Sequence, residues 1–155
     1  MQILHQNVSE GQIKVQIDCL NDLWELFNII REGDYIAGST FRRVVVREGE
    51  AGERKPMYLK IHVEKVEFHE FVNRVRVLGV IVEGPDDFIS IGQYHTFNLE
   101  INDKISIYKE KWFDSDLKRI KNAISMEGAK HIFVVGIDKG YSILCLLTNY
   151  SLNKI

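Results

Sequence analysis

The chain has 155 residues and a mass of 18.0 kDa, which is room for one domain, or for one domain and a piece of another. It is 45% hydrophobic and 27% charged, a globular composition that excludes a wholly disordered chain, and Lys+Arg 20 against Asp+Glu 22 gives a net charge of −2, which excludes a uniformly basic nucleic-acid binder though not a local basic patch. No apolar run approaches the ~18–20 residues of a membrane span, Met1-Gln2-Ile3-Leu4-His5 lacks the basic start and apolar core of a secretory leader, and Cys19 and Cys145 lie in apolar patterns that suit reduced cytoplasmic thiols.

Ile13, Val15 and Ile17 alternate with Lys14 and Gln16, as in a half-buried strand, after a turn at Ser9-Glu10-Gly11. A helix is predicted next, because Leu20, Leu23, Trp24, Phe27 and Ile30 recur at three- and four-residue steps. Asp18 or Asn21 would cap its start and Gly33 would follow its end. Tyr35–Val46 is β-branched and aromatic, and Arg47 to Pro56 reads as a protruding loop. Met57, Leu59, Ile61 and Val63 are apolar at odd positions, but Val66 and Phe68 at even ones. A regular strand cannot change phase, so an extra residue near Glu64-Lys65, a β-bulge, is predicted. Arg74–Val82, Tyr94–Leu99 and Lys104–Tyr108 complete the strands, with turns at 83–87 and 100–103.

One helix and about five short strands predict a mainly β, α+β fold, namely a strongly bent barrel of the Sm or SH3 type over residues 1–112. A connecting helix is predicted within 113–128, with Leu117, Ile120, Ala123 and Ile124 on one face and Gly128 as its stop. His131–Ile137 and Tyr141–Thr148 flank a tight turn at Asp138-Lys139-Gly140. Their near-continuous apolar character calls for cover on both faces, so residues 129–155 read as the first hairpin of an incomplete α/β domain.

No phosphate-binding glycine loop, zincin helix or nucleophile elbow occurs. His62, Glu64, Glu67, His69 and Glu70 form the densest set of possible metal ligands, but their spacing matches no standard site and suits an exposed strand face equally well. Arg42, Arg43, Arg47, Arg54, Lys55 and Lys60 concentrate six cations against Glu48, Glu50 and Glu53. Guanidinium groups there could grip phosphates, or the segment could be a solvated hairpin of mixed charge. Asp18, Asp22 and Glu25 lie at i, i+4 and i+7, within one helical stripe at about 100° per residue. Such carboxylates could hold a divalent cation for phosphodiester hydrolysis, or could be the polar face and dipole partners of a surface helix. Tyr94 and His95 could stack on an unpaired base or fill a barrel rim.

Three stretches carry a family pattern: Gly11-Gln12-Ile13-Lys14-Val15 leading to Asp22-Leu23-Trp24-Glu25-Leu26-Phe27 and Gly33-Asp34; Val63-Glu64-Lys65-Val66-Glu67-Phe68-His69 continuing through Asn73-Arg74-Val75-Arg76-Val77 to Gly84-Pro85; and Gly92-Gln93-Tyr94-His95-Thr96-Phe97-Asn98-Leu99. Together they resemble the N-terminal part of the Pelota family, ribosome-rescue factors of archaea and eukaryotes related to class 1 release factors. Lys111-Trp112 and Val135-Gly136-Ile137-Asp138-Lys139-Gly140 resemble the passage into that family's central domain.

The resemblance implies an Sm-like barrel that enters the empty A site of a stalled ribosome, meets rRNA and mRNA, and serves rescue, recycling and no-go mRNA surveillance in the cytoplasm. It implies as partners of the longer protein a GTPase related to elongation factor 1α and an ABC-type recycling ATPase, with no membrane and no required cofactor. The family loop between the third and fourth barrel strands corresponds to Arg42–Met57, so Arg42, Arg43, Arg47, Arg54 and Lys55, with Tyr94 and His95, are the candidate RNA-binding residues. The family's disputed endoribonuclease activity would fall on Asp22 and Glu25, with Asp18 as a third ligand for a divalent metal.

Overall fold

The structure, a computed structural model, describes residues 1–44, 52–85, 89–125, 132–148 and 151–155. The elements run β1 (Gln2–Asn7), β2 (Gln12–Gln16), α1 (Leu20–Ile29), β3 (Tyr35–Val44), β4 (Glu53–His69), β5 (Arg74–Glu83), β6 (Tyr94–Leu99), β7 (Lys104–Tyr108), α2 (Asp114–Ile124), β8 (Ile132–Asp138), β9 (Tyr141–Leu147) and β10 (Leu152–Lys154). The described chain is therefore mainly β with two helices, the α+β class expected. The first seven strands form one antiparallel sheet in the order β1-β2-β7-β3-β4-β5-β6.

The predicted bulge is present. Val63 faces Gly79 and Lys65 faces Leu78, so Glu64 is the extra residue. It lets Leu59, Ile61 and Val63 on one side, and Val66 and Phe68 on the other, all reach the core. β4 thereby bends enough to pair with β3 along Glu53–His62 and with β5 along Lys60–His69. The backbones crowd at this point, since a Cβ on Gly79 would stand 2.1 Å from the His62 carbonyl oxygen.

The ladder does not close into a barrel among the described residues. β3 pairs with β7 only over Tyr35–Gly38, and its far half meets β6 through side chains. Thr40 Oγ1 lies 3.2 Å from His95 Nε2, and Arg42 donates to Gln93 Oε1 at 2.6 Å. A cleft of 330 Å³ opens along this seam. The barrel expectation thus resolves into a curled sheet whose last edge is bridged by polar side chains rather than by backbone bonds.

α1 covers the core with Leu23, Leu26 and Ile29. Its cap differs from the expectation: Cys19 occupies the N-cap, and Asp22 reaches back to accept from the Asp18 and Cys19 amides at 2.8 and 3.1 Å. This is the half of a capping box in which the N3 carboxylate reaches back to the amides at and before the cap, rather than a cap side chain accepting from the first turn. Beyond Gly33 (φ 90°), Gly33 N donates to Val63 O and Val63 N to Asp34 O, fastening the helix exit beside the bulge. α2 packs on α1, with Ile120 and Ala123 in the core and Arg31 gripping the buried Asp116 through both terminal nitrogens. Trp112 Nε1 donates to the Gly11 carbonyl at 2.7 Å, and the buried Lys109 pairs with Asp34.

The last three strands form a separate sheet, β10-β9-β8, turning at Gly140 (φ 79°) as predicted. Most of its apolar residues, Phe133 and Ile137 among them, are exposed, and Ile143, Cys145 and Leu146 are half-buried. Two strands escaped prediction: β10 is three residues long, and β1 contains a register shift between Ile3 and His5 that erases its alternation. Gly128 and His131 lie outside the described residues. No helix among the described residues is long and apolar enough to cross a membrane.

Gly79→Ala is expected to lower the urea unfolding midpoint, by about 1–3 kcal/mol or more in stability, because two backbones must separate to admit the methyl group.

Candidate functional site

The basic segment is mostly ladder, not loop. Glu53–Pro56 belongs to β4 and pairs with Phe41–Val44, so the predicted loop loses its second half. Local polarity concealed this, because the cross-strand partners of these residues supply their backbone bonds. Arg43 pairs with Arg54, and Arg42 with Lys55. Directly opposed residues share a face and successive pairs alternate, so the four cations divide between the two faces. Arg43 and Arg54 are exposed; Arg43 Nε donates to the Gly52 carbonyl at 3.0 Å, and the Arg54 guanidinium lies 5.8 Å from the Phe41 ring centre. Arg42 is half-buried in the seam on Gln93, and Lys55 is half-buried on the same side. Arg47, Glu48 and Glu50 lie outside the described residues.

Tyr94 and His95 part ways. Tyr94 is 60% exposed, with its hydroxyl 3.5 Å from Glu64 Oε1. His95 stands edge-on to Phe97, 5.0 Å between ring centres, and meets Thr40 across the seam. Burial, and then the charge of Arg42, lower its pKa to about 4, so the ring is neutral at physiological pH. His95 is part of the seam, whereas Tyr94 stands exposed beside Glu64.

The acidic trio is not an exposed stripe. Asp22 is fully buried, and its Oδ2 lies 2.7 Å from the Met1 α-ammonium; Asp18 Oδ2 lies 3.1 Å from the same group. Glu25 pairs with Arg119 of α2 at 2.9 Å. Helical periodicity placed these carboxylates on one solvent face, but Asp18 precedes α1 and stays exposed, Met1 closes over Asp22, and Arg119 of α2 engages Glu25. Among the described residues no three His, Cys, Asp or Glu side chains gather into a metal-holding group, whether here or around His62 and His69.

Burial by itself would lower the pKa of the Met1 ammonium, but the hydrogen bonds and charges of Asp22 and Asp18 outweigh it and raise the pKa above the ordinary 8.0. The folded state therefore holds this proton more tightly than the unfolded chain. The resulting stabilisation is complete below about pH 8 and fades as pH rises through the folded-state value. Thermal melts from pH 7 to 10 are expected to show this alkaline decline. Asp22→Asn should flatten it and cost about 3 kcal/mol at neutral pH, leaving a buried ammonium without its main counter-charge.

Sequence reasoning passed over Tyr35, Phe41 and Tyr58, which are exposed on the ladder that carries the cations. Their outward positions follow from the alternation of β3 and β4 once the register is known.

The family model described as Pelota N-terminal domain matches residues 1–124. The Pelota homolog of Thermococcus onnurineus is 34% identical over 154 residues, which is 97% of this chain and 43% of that protein. The crystal structure of Archaeoglobus fulgidus Pelota superposes with a TM-score of 0.61 at 34% identity, covering 100% of this chain and 43% of the other. A model of ribosome-bound archaeal Pelota and ABCE1 gives a TM-score of 0.69 at 32% identity, covering 100% of this chain and 44% of that one. The chain thus spans less than half the length of the relatives it matches.

Proposed function

Since the chain belongs to the Pelota family, we propose that it is the ribosome-engaging part of a rescue factor, which enters the empty A site of a stalled ribosome and serves recycling and no-go mRNA surveillance. One observation carries this reading beyond family membership: a net-acidic chain places two exposed arginines, Arg43 and Arg54, directly opposite each other at the far end of its longest hairpin. Like charges facing each other across a ladder are unfavourable for folding alone. A polyanion that accepts both forks turns that repulsion into binding. Arg42 and Lys55 add to the same field from the other face, with Arg47 beyond them in sequence.

An archaeal relative is described as ribosome-bound together with ABCE1. By that likeness the longer protein would work in the cytoplasm with an ABC-type ATPase, and by the family resemblance with a GTPase related to elongation factor 1α. We read Asp18, Asp22 and Glu25 as structural ion-pair partners rather than nuclease ligands, and the module as needing no cofactor, because each of the three carboxylates already faces a protein cation.

Replacing Arg43 and Arg54 together by alanine is expected to weaken binding to ribosomes stalled with an empty A site. The slope of log affinity against log salt should become shallower by about one for each phosphate that is no longer neutralised. An unchanged affinity and slope, measured by co-sedimentation over a salt series, would refute the assignment. Arg42→Ala is a poorer test, since it also releases Gln93 from the seam.

A further inference from the structure

We propose that the outer face of the β3–β4 ladder is a stacking platform for the unpaired bases of single-stranded RNA. Tyr35, Phe41 and Tyr58 form the platform, and Lys60, Arg43 and Arg54 hold the phosphates. The inference rests on the ribosome-engaging reading and assigns a ligand chemistry to a surface adjoining the basic hairpin end.

The register defines the face. Tyr35 pairs with His62, Ala37 with Lys60, Ser39 with Tyr58, Phe41 with Pro56 and Arg43 with Arg54. The intervening pairs, such as Ile36 with Ile61 and Gly38 with Leu59, turn the other way, and their apolar members are buried. The first set therefore faces away from the core, although Ala37 in its midst is buried. Three of its rings are open to solvent: Tyr35 is 39% exposed, Tyr58 49% and Phe41 59%.

Cations are interleaved with the rings. The Lys60 ammonium lies 4.1 Å from the centre of the Tyr108 ring and 5.6 Å from that of Tyr35, while Arg54 covers Phe41. Tyr108 of β7 pairs with Tyr35, which in turn pairs with His62, so three rings cross the sheet in one row. The ten ladder residues of this face include no carboxylate; Glu83 of β5 lies opposite Lys60, and Glu100 and Asp103 share the seam cleft with Phe41 and Arg54. Same-face positions recur about every 6.6–6.8 Å along a strand, so the rings are spread along roughly 20 Å that ends at Arg43 and Arg54. Aromatic faces interleaved with cations along a track are the arrangement that binds single strands with little sequence preference. Acidic peptides could meet the same cations, but would make no use of several successive rings.

The test uses the 155-residue chain and a fluorescein-labelled ten-nucleotide uridine RNA, with anisotropy as the readout and an abasic oligomer of equal length as control. Tyr58→Ala and Phe41→Ala, confirmed as folded by circular dichroism, are each expected to weaken binding roughly tenfold while leaving the salt slope unchanged. Tyr58→Phe and Phe41→Tyr should bind as the parent does, and the abasic oligomer should bind more weakly. The proposal is overturned if the alanine variants bind like the parent, if the abasic oligomer binds equally well, or if the parent binds polyglutamate but not the RNA. Failure here, with ribosome binding still lost on replacing Arg43 and Arg54, would remove the platform and leave the proposed function standing. Loss of neither would refute both.

Discussion

The single extra residue at Glu64 is the constraint on which the arrangement of the sheet depends. A strand seventeen residues long can serve two neighbours only if it bends, and it can keep apolar side chains on the core side of the bend only by skipping one position. The bulge does both. Before it, Leu59, Ile61 and Val63 face inward; after it, Val66 and Phe68 do, with Phe68 packed against Trp24 and Phe27 of α1. Gly79 opposite and the reciprocal bonds from Gly33 and Asp34 to Val63 hold the bend in place, so helix and sheet share one anchor.

The bend also determines what the outer surface can offer. The β3–β4 ladder keeps Val44 and Met57 in the core on one face and leaves the opposed Arg43 and Arg54 exposed on the other. The bend brings β3 beside β6 closely enough for side chains, but not backbones, to join them. A neutral imidazole suits that seam: a charged His95 would be repelled by Arg42 and poorly solvated. The seam thus consumes one arginine of the basic segment, while Arg43 and Arg54 stay exposed.

Buried ion pairs join the remaining elements. Asp22 holds the first residue against α1, Asp116 holds Arg31 at the end of α1, and Lys109 holds Asp34 just before β3. Each links segments distant in sequence, and each removes a charged group from the set available for chemistry. All three carboxylates that a helical projection assigns to an exposed stripe are ion-paired: Asp22 and Asp18 on the Met1 ammonium and Glu25 on Arg119 of the second helix.

The division between what was legible and what was not has a physical basis. Periodicity is a property of neighbouring residues, so α1, the phase change at Glu64, the Gly140 hairpin and the α+β class could be read from the chain by itself, and the family from its residue pattern. What required the tertiary structure was every question of partnership. Asp22 faces the Met1 ammonium, which precedes β1, and β1 could not be seen because its own bulge breaks the alternation. Arg54 and Lys55 are strand residues because Arg42 and Arg43 pair with them, although their local polarity resembles a loop. Tyr35, Phe41 and Tyr58 share a face only once the register of β3 on β4 is known, because register is decided by interactions between strands and not within them. Local patterning thus shows how each segment folds, whereas packing between segments settles which charges are used up in holding the protein together and which remain exposed to meet a ligand.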